Sequence, residues 1–211
     1  MILLLSLLGC ATMGGLGAAR TLDAGQTRAS VGFELGWVDS QPFVAPLARL
    51  DVGARHGVTD RLEVGVQLGA WPLLIRTAHL GLDTKLALHR APSLQAGVDV
   101  SMGLSLQADG VSSAGLRGQA WTAQVPLYVG LNQSEDVQWQ LVPRVAVQHL
   151  RSDGAAPVTK ALFGMSVGMA IQSERATLLP NVGLLWSSNP ANQLKGLTTL
   201  QGGVSVQLNP P

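Results

Sequence analysis

The sequence predicts an all-β protein: an antiparallel, up-and-down transmembrane barrel of about ten strands, with eight as the alternative. Ten segments alternate apolar and polar residues with a period of two, the signature of a strand that shows different faces to different surroundings. Charge is scarce, at 13% Asp, Glu, Lys and Arg, where an average soluble domain carries about 25%. The charges that do occur keep to one face of the strands.

The strand cores fall near residues 29–37, 44–54, 62–70, 78–88, 94–106, 121–131, 137–147, 161–171, 178–186 and 200–208. Each is close to the roughly 9–11 residues that a tilted strand needs to cross a bilayer. In the third, Leu62, Val64, Val66, Leu68 and Ala70 alternate with Glu63, Gly65, Gln67 and Gly69. The first sets Ala29, Val31, Phe33, Leu35 and Trp37 on one side, the fourth Leu80, Leu82, Leu86 and Leu88, and the eighth Phe163, Met165, Val167, Met169 and Ile171. The other face carries Glu34, Arg49, Asp51, Arg55, Arg61, Glu63, Asp83, Lys85, Asp99, Arg144 and Lys160. A charge turned to lipid at the bilayer midplane costs about 2–4 kcal/mol, so an uncharged apolar face is what a lipid contact requires. The eleven charges are then expected in the lumen, where carboxylates and cations on neighbouring strands would pair and fill the bore.

Connections are expected to alternate in length. "HGVTD", "HRAPS", "NQSED" and "QSERA" are short turns, and "QADGVSSAGLRG", "RSDGAAPVT" and "SSNPANQLKG" are longer loops. An even strand count puts both termini on the short-turn, periplasmic side. Trp37, Trp71, Trp121 and Trp186, with Phe43 and Phe163, fall near strand ends on the other side, where indole rings sit at a membrane interface. Trp71 lies on the inward parity of its strand, which asks for a bulge or for a different strand boundary. Pro126, Pro143 and Pro180 lie inside strands, where each removes a ladder hydrogen bond, so local bulges or a shift of one strand boundary are expected there.

Ahead of the barrel, "MILLLSLLGC" is an apolar run of the kind found in a cleaved secretory signal. Leu7, Leu8, Gly9 and Cys10 resemble the bacterial lipobox, which implies cleavage before Cys10, palmitate-type lipid on that residue and, with Ala11 after it, delivery to the outer membrane. The chain divides accordingly into a signal peptide at 1–9, the lipidated Cys10 with a small-residue tether to 27, and a barrel domain at 28–211. Cys10 is the only cysteine, so no intramolecular disulfide exists. "HGVTDRLEVGVQLG" resembles a turn-and-strand common in small Gram-negative outer-membrane barrels, and the layout resembles barrel lipoproteins of myxobacteria-like organisms. In "QGGVSVQL", Gln201, Gly203, Val206 and Leu208 fit the signal read by the barrel-assembly machinery, although the chain continues into "NPP" rather than finishing on Phe or Trp. The resemblance implies outer-membrane lipid and that machinery as partners, and no catalytic residue.

Function follows only in outline: a structural role, or a narrow passive pore for small solutes in which the arginines and Lys85 favour anions. The competing class is a periplasmic, lipid-anchored barrel that binds an apolar ligand inside, with the Leu and Val face turned inward. A lipid-modifying hydrolase would need a nucleophile beside a base, and only His149, Ser152 and Asp153 suggest one. His56, His79, His89 and His149 are scattered without metal-ligand spacing, and no glycine loop precedes a helix to hold phosphate. A net charge of +1 gives no basic surface for nucleic acid. No cofactor, metal or catalytic activity is expected.

Overall fold

The computed structural model describes residues 17–40, 43–70, 76–93, 95–113, 116–188 and 198–209. Ten strands form: β1 (Thr27–Ser40), β2 (Phe43–Thr59), β3 (Leu62–Ala70), β4 (Arg76–His89), β5 (Gly97–Ser113), β6 (Leu116–Asn132), β7 (Val137–Ser152), β8 (Val158–Gln172), β9 (Ala176–Ser188) and β10 (Thr198–Leu208). Each pairs antiparallel with its neighbours in sequence, and β1 pairs with β10 to close the barrel. Closure leaves no sheet edge, so every strand has partners on both sides. Among the described residues no helix is long and apolar enough to cross a membrane. The mouth at which β1 begins and β10 ends is called the terminal mouth below, and the other the far mouth.

The alternation read from the sequence sets the facing. Leu82 and Val147 point outward and are each 54% exposed, whereas Asp99 and Gln148 point inward and are 0% exposed. Hydrophobic side chains therefore clothe the outside, and carboxylates, guanidinium groups and glutamines line the bore. A barrel holding an apolar ligand would have the reverse arrangement, so the competing reading of an apolar interior does not fit. From Ala78 to Leu88 the outward positions of β4 span about 33 Å along the strand at about 3.3 Å per residue. With a tilt near 45° this becomes about 23 Å of height, close to the about 25 Å apolar band of a membrane barrel.

Two sequence expectations need correction. The stretch 107–118 is not a long loop: β5 continues to Ser113, β6 starts at Leu116, and Asp109 and Gly110 pair with Ala120 and Gln119. "ADG" has turn propensity, but inward Gln107 and Asp109 keep the alternation going, and cross-strand pairing overrides the local preference. The prolines also cause no bulge. Register runs unchanged past each, and the ladder is interrupted on one side only: opposite Pro126 on β5, opposite Pro143 on β6 and opposite Pro180 on β8. Each proline still pairs on its other side, with Arg144, Met165 and Val204 respectively. Because a proline lacks only its N–H, one local gap suffices. The register shifts that do occur lie near the terminal mouth, at Gly57/Thr59 and Ala87/His89.

Trp121 and Trp186 stand outward toward the far mouth, and Phe163 stacks on Trp186 with ring centroids 6.4 Å apart. Trp139 marks the opposite rim, where its Nε1 donates to Gln133 Oε1 at 2.9 Å. The side chains of Trp37 and Phe43, and Trp71 with its expected bulge, lie outside the described residues.

Candidate functional site

The candidate site is the lumen, and its terminal half is built around four charges. Arg55 donates to Glu63 at 2.7 Å and reaches Asp83 at 2.9 Å, while Lys85 Nζ lies 3.1 Å from the other Glu63 oxygen. Two cations thus balance two carboxylates at hydrogen-bonding distance, the pairing under which buried charges are tolerated. Lys85 also lies 5.7 Å from the centre of the Tyr128 ring. The small residues of β3 make this possible. A Cβ on Gly65 would sit 2.8 Å from the Asp83 carboxylate, and one on Gly69 would sit 2.0 Å from that of Asp51.

A second group lies further along the bore. Arg49 donates to Asp51 at 2.7 Å and approaches Glu34 at 3.3 Å. Arg144 donates to Ser166 at 2.8 Å, and His79 and Asp109 share a 2.7 Å contact. Back at the terminal mouth, Asp99 accepts from Asn132, Gln138 and the Ala91 backbone N–H. Lys160 points inward near the far mouth on β8, opposite Gln148. Of the eleven charges expected inside, Arg61 is misplaced: it occupies the exposed turn between β2 and β3, where strand alternation no longer dictates facing. The other ten are on the inward face.

What the sequence reading missed is a peptide inside the barrel. Residues 11–27 have the composition of a tether, but the described part, from Gly17, turns back at Gly25 (φ 79) and crosses the terminal mouth. Gly25 and Gly57 anchor the turn, with Gly25 N donating to Gly57 O at 2.8 Å and Gly57 N donating to Gln26 O at 2.9 Å. Beyond it, Leu22 N donates to Glu63 at 3.0 Å, and Arg20 lies 3.9 Å from Asp99. Ala19 N donates to Gln138 at 3.2 Å, its carbonyl accepts from Ser101 Oγ, and the Ala18 carbonyl accepts from Lys85 at 2.8 Å. Ala19 packs against Tyr128 and Val142, and Ala18 against Ala170 and Leu179. The segment forms a crossbar from the β2–β3 wall to the β8–β9 wall. Backbone groups need partners once they leave water, and the lumen side chains supply them. The sequence hint was the run of small residues itself, since only a thin strand of chain fits through a lined bore.

Cys10 lies outside the described residues. His149 and Ser152 lie on opposite faces of β7: His149 is outward and shares a 2.9 Å contact with Thr159, and Ser152 is buried inward. The trio considered for hydrolysis is therefore not assembled. Among the described residues no group of three His, Cys, Asp or Glu side chains is placed to hold a metal.

No protein-family model matches the chain, and no curated protein matches it. Among solved structures, the chain is similar to Ail, the attachment invasion locus protein of Yersinia pestis, at 8% identity and a TM-score of 0.43 over 88% of this chain and 98% of that one. It is similar to Neisserial surface protein A at 12% identity and a TM-score of 0.42, covering 87% of this chain and 96% of the other. It is also similar to the outer membrane protease OmpT from Escherichia coli at 9% identity and a TM-score of 0.46, covering 90% and 98%.

Proposed function

We propose that this chain is a structural barrel of the outer membrane whose bore is shut at the periplasmic, terminal mouth by its own residues 17–22. The observation that carries the reading is the crossbar, held by Glu63, Lys85, Ser101 and Gln138 on β3, β4, β5 and β7. The apolar exterior supports a place in lipid, and the scarcity of surface charge supports it independently. Lipid on Cys10 and recognition of Gln201, Gly203, Val206 and Leu208 by the assembly machinery belong to the same reading.

A narrow pore is favoured by one observation only. Arg49 Nη1, Asp51 Oδ1, His79 Nε2 and Asp109 Oδ2 are buried in the bore without hydrogen-bond partners among the described residues, as suits groups solvated by water. That stretch would conduct only with the crossbar displaced. The test is planar-bilayer recording of the full-length Cys10→Ala chain, which no covalent lipid can hold to the membrane, after a carbonate wash and an unboiled gel have established that it is folded in membranes. No stepwise conductance is expected. A steady open channel would overturn the closed-bore reading, and release by carbonate would overturn the membrane reading itself.

A further inference from the structure

On the outer wall, the strands β4 to β7 bring two adjoining hollows into line. The lower is an apolar groove of about 470 Å³ whose lining includes Leu80, Leu82, Leu106, Ala108, Ala123 and Val147, with Trp121 and His149 at its upper edge. Pairing explains its shape. Leu106 faces Ala123, which faces Val147, and Ala108 faces Trp121, which faces His149. The two alanines make a floor between taller side chains. The upper hollow, about 320 Å³, is lined by Arg117, Gln119, Arg151 and Asp153 with Gly118 and Ser152. Gln119 pairs with Arg151 one outward step beyond the Trp121–His149 pair. The outward line of β6 and β7 therefore passes from apolar groove to indole and imidazole to two arginines.

We propose that this face holds one lipid bearing a phosphate headgroup, its acyl chain in the groove and its phosphate between Arg117 and Arg151. The proposal rests on the reading that the apolar exterior meets a bilayer. Arginine matches phosphate oxygens with paired N–H donors, and Trp121 stands where an amphipathic ring prefers the interface. Asp153 reduces the upper hollow to one net positive charge, still enough to favour an anionic over a zwitterionic headgroup. Among the described residues neither arginine makes an ion pair with a carboxylate, so both guanidinium groups remain available.

The experiment measures tryptophan quenching in phosphatidylcholine vesicles containing the full chain. Acyl-brominated phosphatidylcholine and acyl-brominated phosphatidic acid are compared at equal mole fraction. The Trp121 contribution is taken as the difference from Trp121→Phe. Quenching of that component is expected to show an apparent affinity for phosphatidic acid about fivefold above that for phosphatidylcholine, the effect of roughly one net charge at a membrane surface. In the Arg117→Ala/Arg151→Ala variant the preference should vanish while quenching by phosphatidylcholine remains. Ala123→Phe, which fills the floor, should weaken the preference with both arginines intact. Equal quenching by the two lipids in the unaltered chain would overturn the proposal alone. Suppression of the preference by inorganic phosphate would assign the arginines to a free anion and also overturn it. No quenching by either lipid would instead remove the membrane reading.

Discussion

Glu63 is the residue on which most depends. It accepts from Arg55, Lys85 and the Leu22 backbone N–H, and it is 1% exposed. Replacing it with Gln leaves two buried cations facing Asp83 alone. Breaking a buried pair in this way costs about 3–5 kcal/mol. Glu63→Gln should therefore lower the temperature at which the folded gel band is lost, whereas Arg61→Ala in the exposed turn should leave it within error. Both residues lie in one short stretch and both read as inward charges in sequence. Alternation holds only while the backbone is extended, and Arg61 sits in the turn just before β3 resumes it. The partner of Glu63 that mattered most for closure, Leu22, was invisible because a backbone N–H has no side-chain signal and lies 41 residues away.

At the scale of single elements, prolines and crossbar make separate claims. Pro143 pairs with Met165 on β8 and leaves a gap toward Leu127 on β6. Pro143→Ala restores a donor at that gap and should add about 1 kcal/mol, a typical net hydrogen bond, read as a higher urea midpoint for unfolding from vesicles. The crossbar depends on Gly57, where a Cβ would stand 2.2 Å from the Asp23 carbonyl oxygen. Gly57→Val should displace residues 17–22 and produce conductance in planar bilayers where the unaltered chain gives none. A silent bilayer with folded Gly57→Val protein would mean that the charge groups alone close the bore. Period-two alternation made all ten strands legible from residues 29 to 208. It continues through Gln107, Ala108 and Asp109 and then lapses at Val111 and Ser112, and turn propensity at Asp109 and Gly110 concealed the rest of β5 until pairing with β6 was visible.

For the whole molecule, the decisive asymmetry is apolar outside and polar inside. Leu82→Arg puts a charge on the lipid face and should cost about 2–4 kcal/mol for folding into vesicles. The same change made in detergent, where the arginine can reach water, should cost less. Equal penalties in both would argue that Leu82 does not face hydrocarbon. Architecture was legible because the outward face uses so few residue types, and a restricted alphabet leaves a strong pattern. The lumen was half legible. Inward positions follow from alternation, but which charges meet depends on stagger around the ring, which no single strand records.

The crossbar bears on the order in which the molecule comes together. Ala19 bonds to Gln138, 119 residues downstream, and Ala18 packs against Ala170 and Leu179. Contacts separated so far in sequence form late, because much chain must be ordered before they gain anything. The segment ahead of β1 is thus among the last to reach its place, after β7, β8 and β9 have supplied the wall it rests on. During maturation the terminal mouth is open, and its sealing marks completion. The sealed mouth is then a late product of this protein's assembly, made by a segment that must wait for its own support.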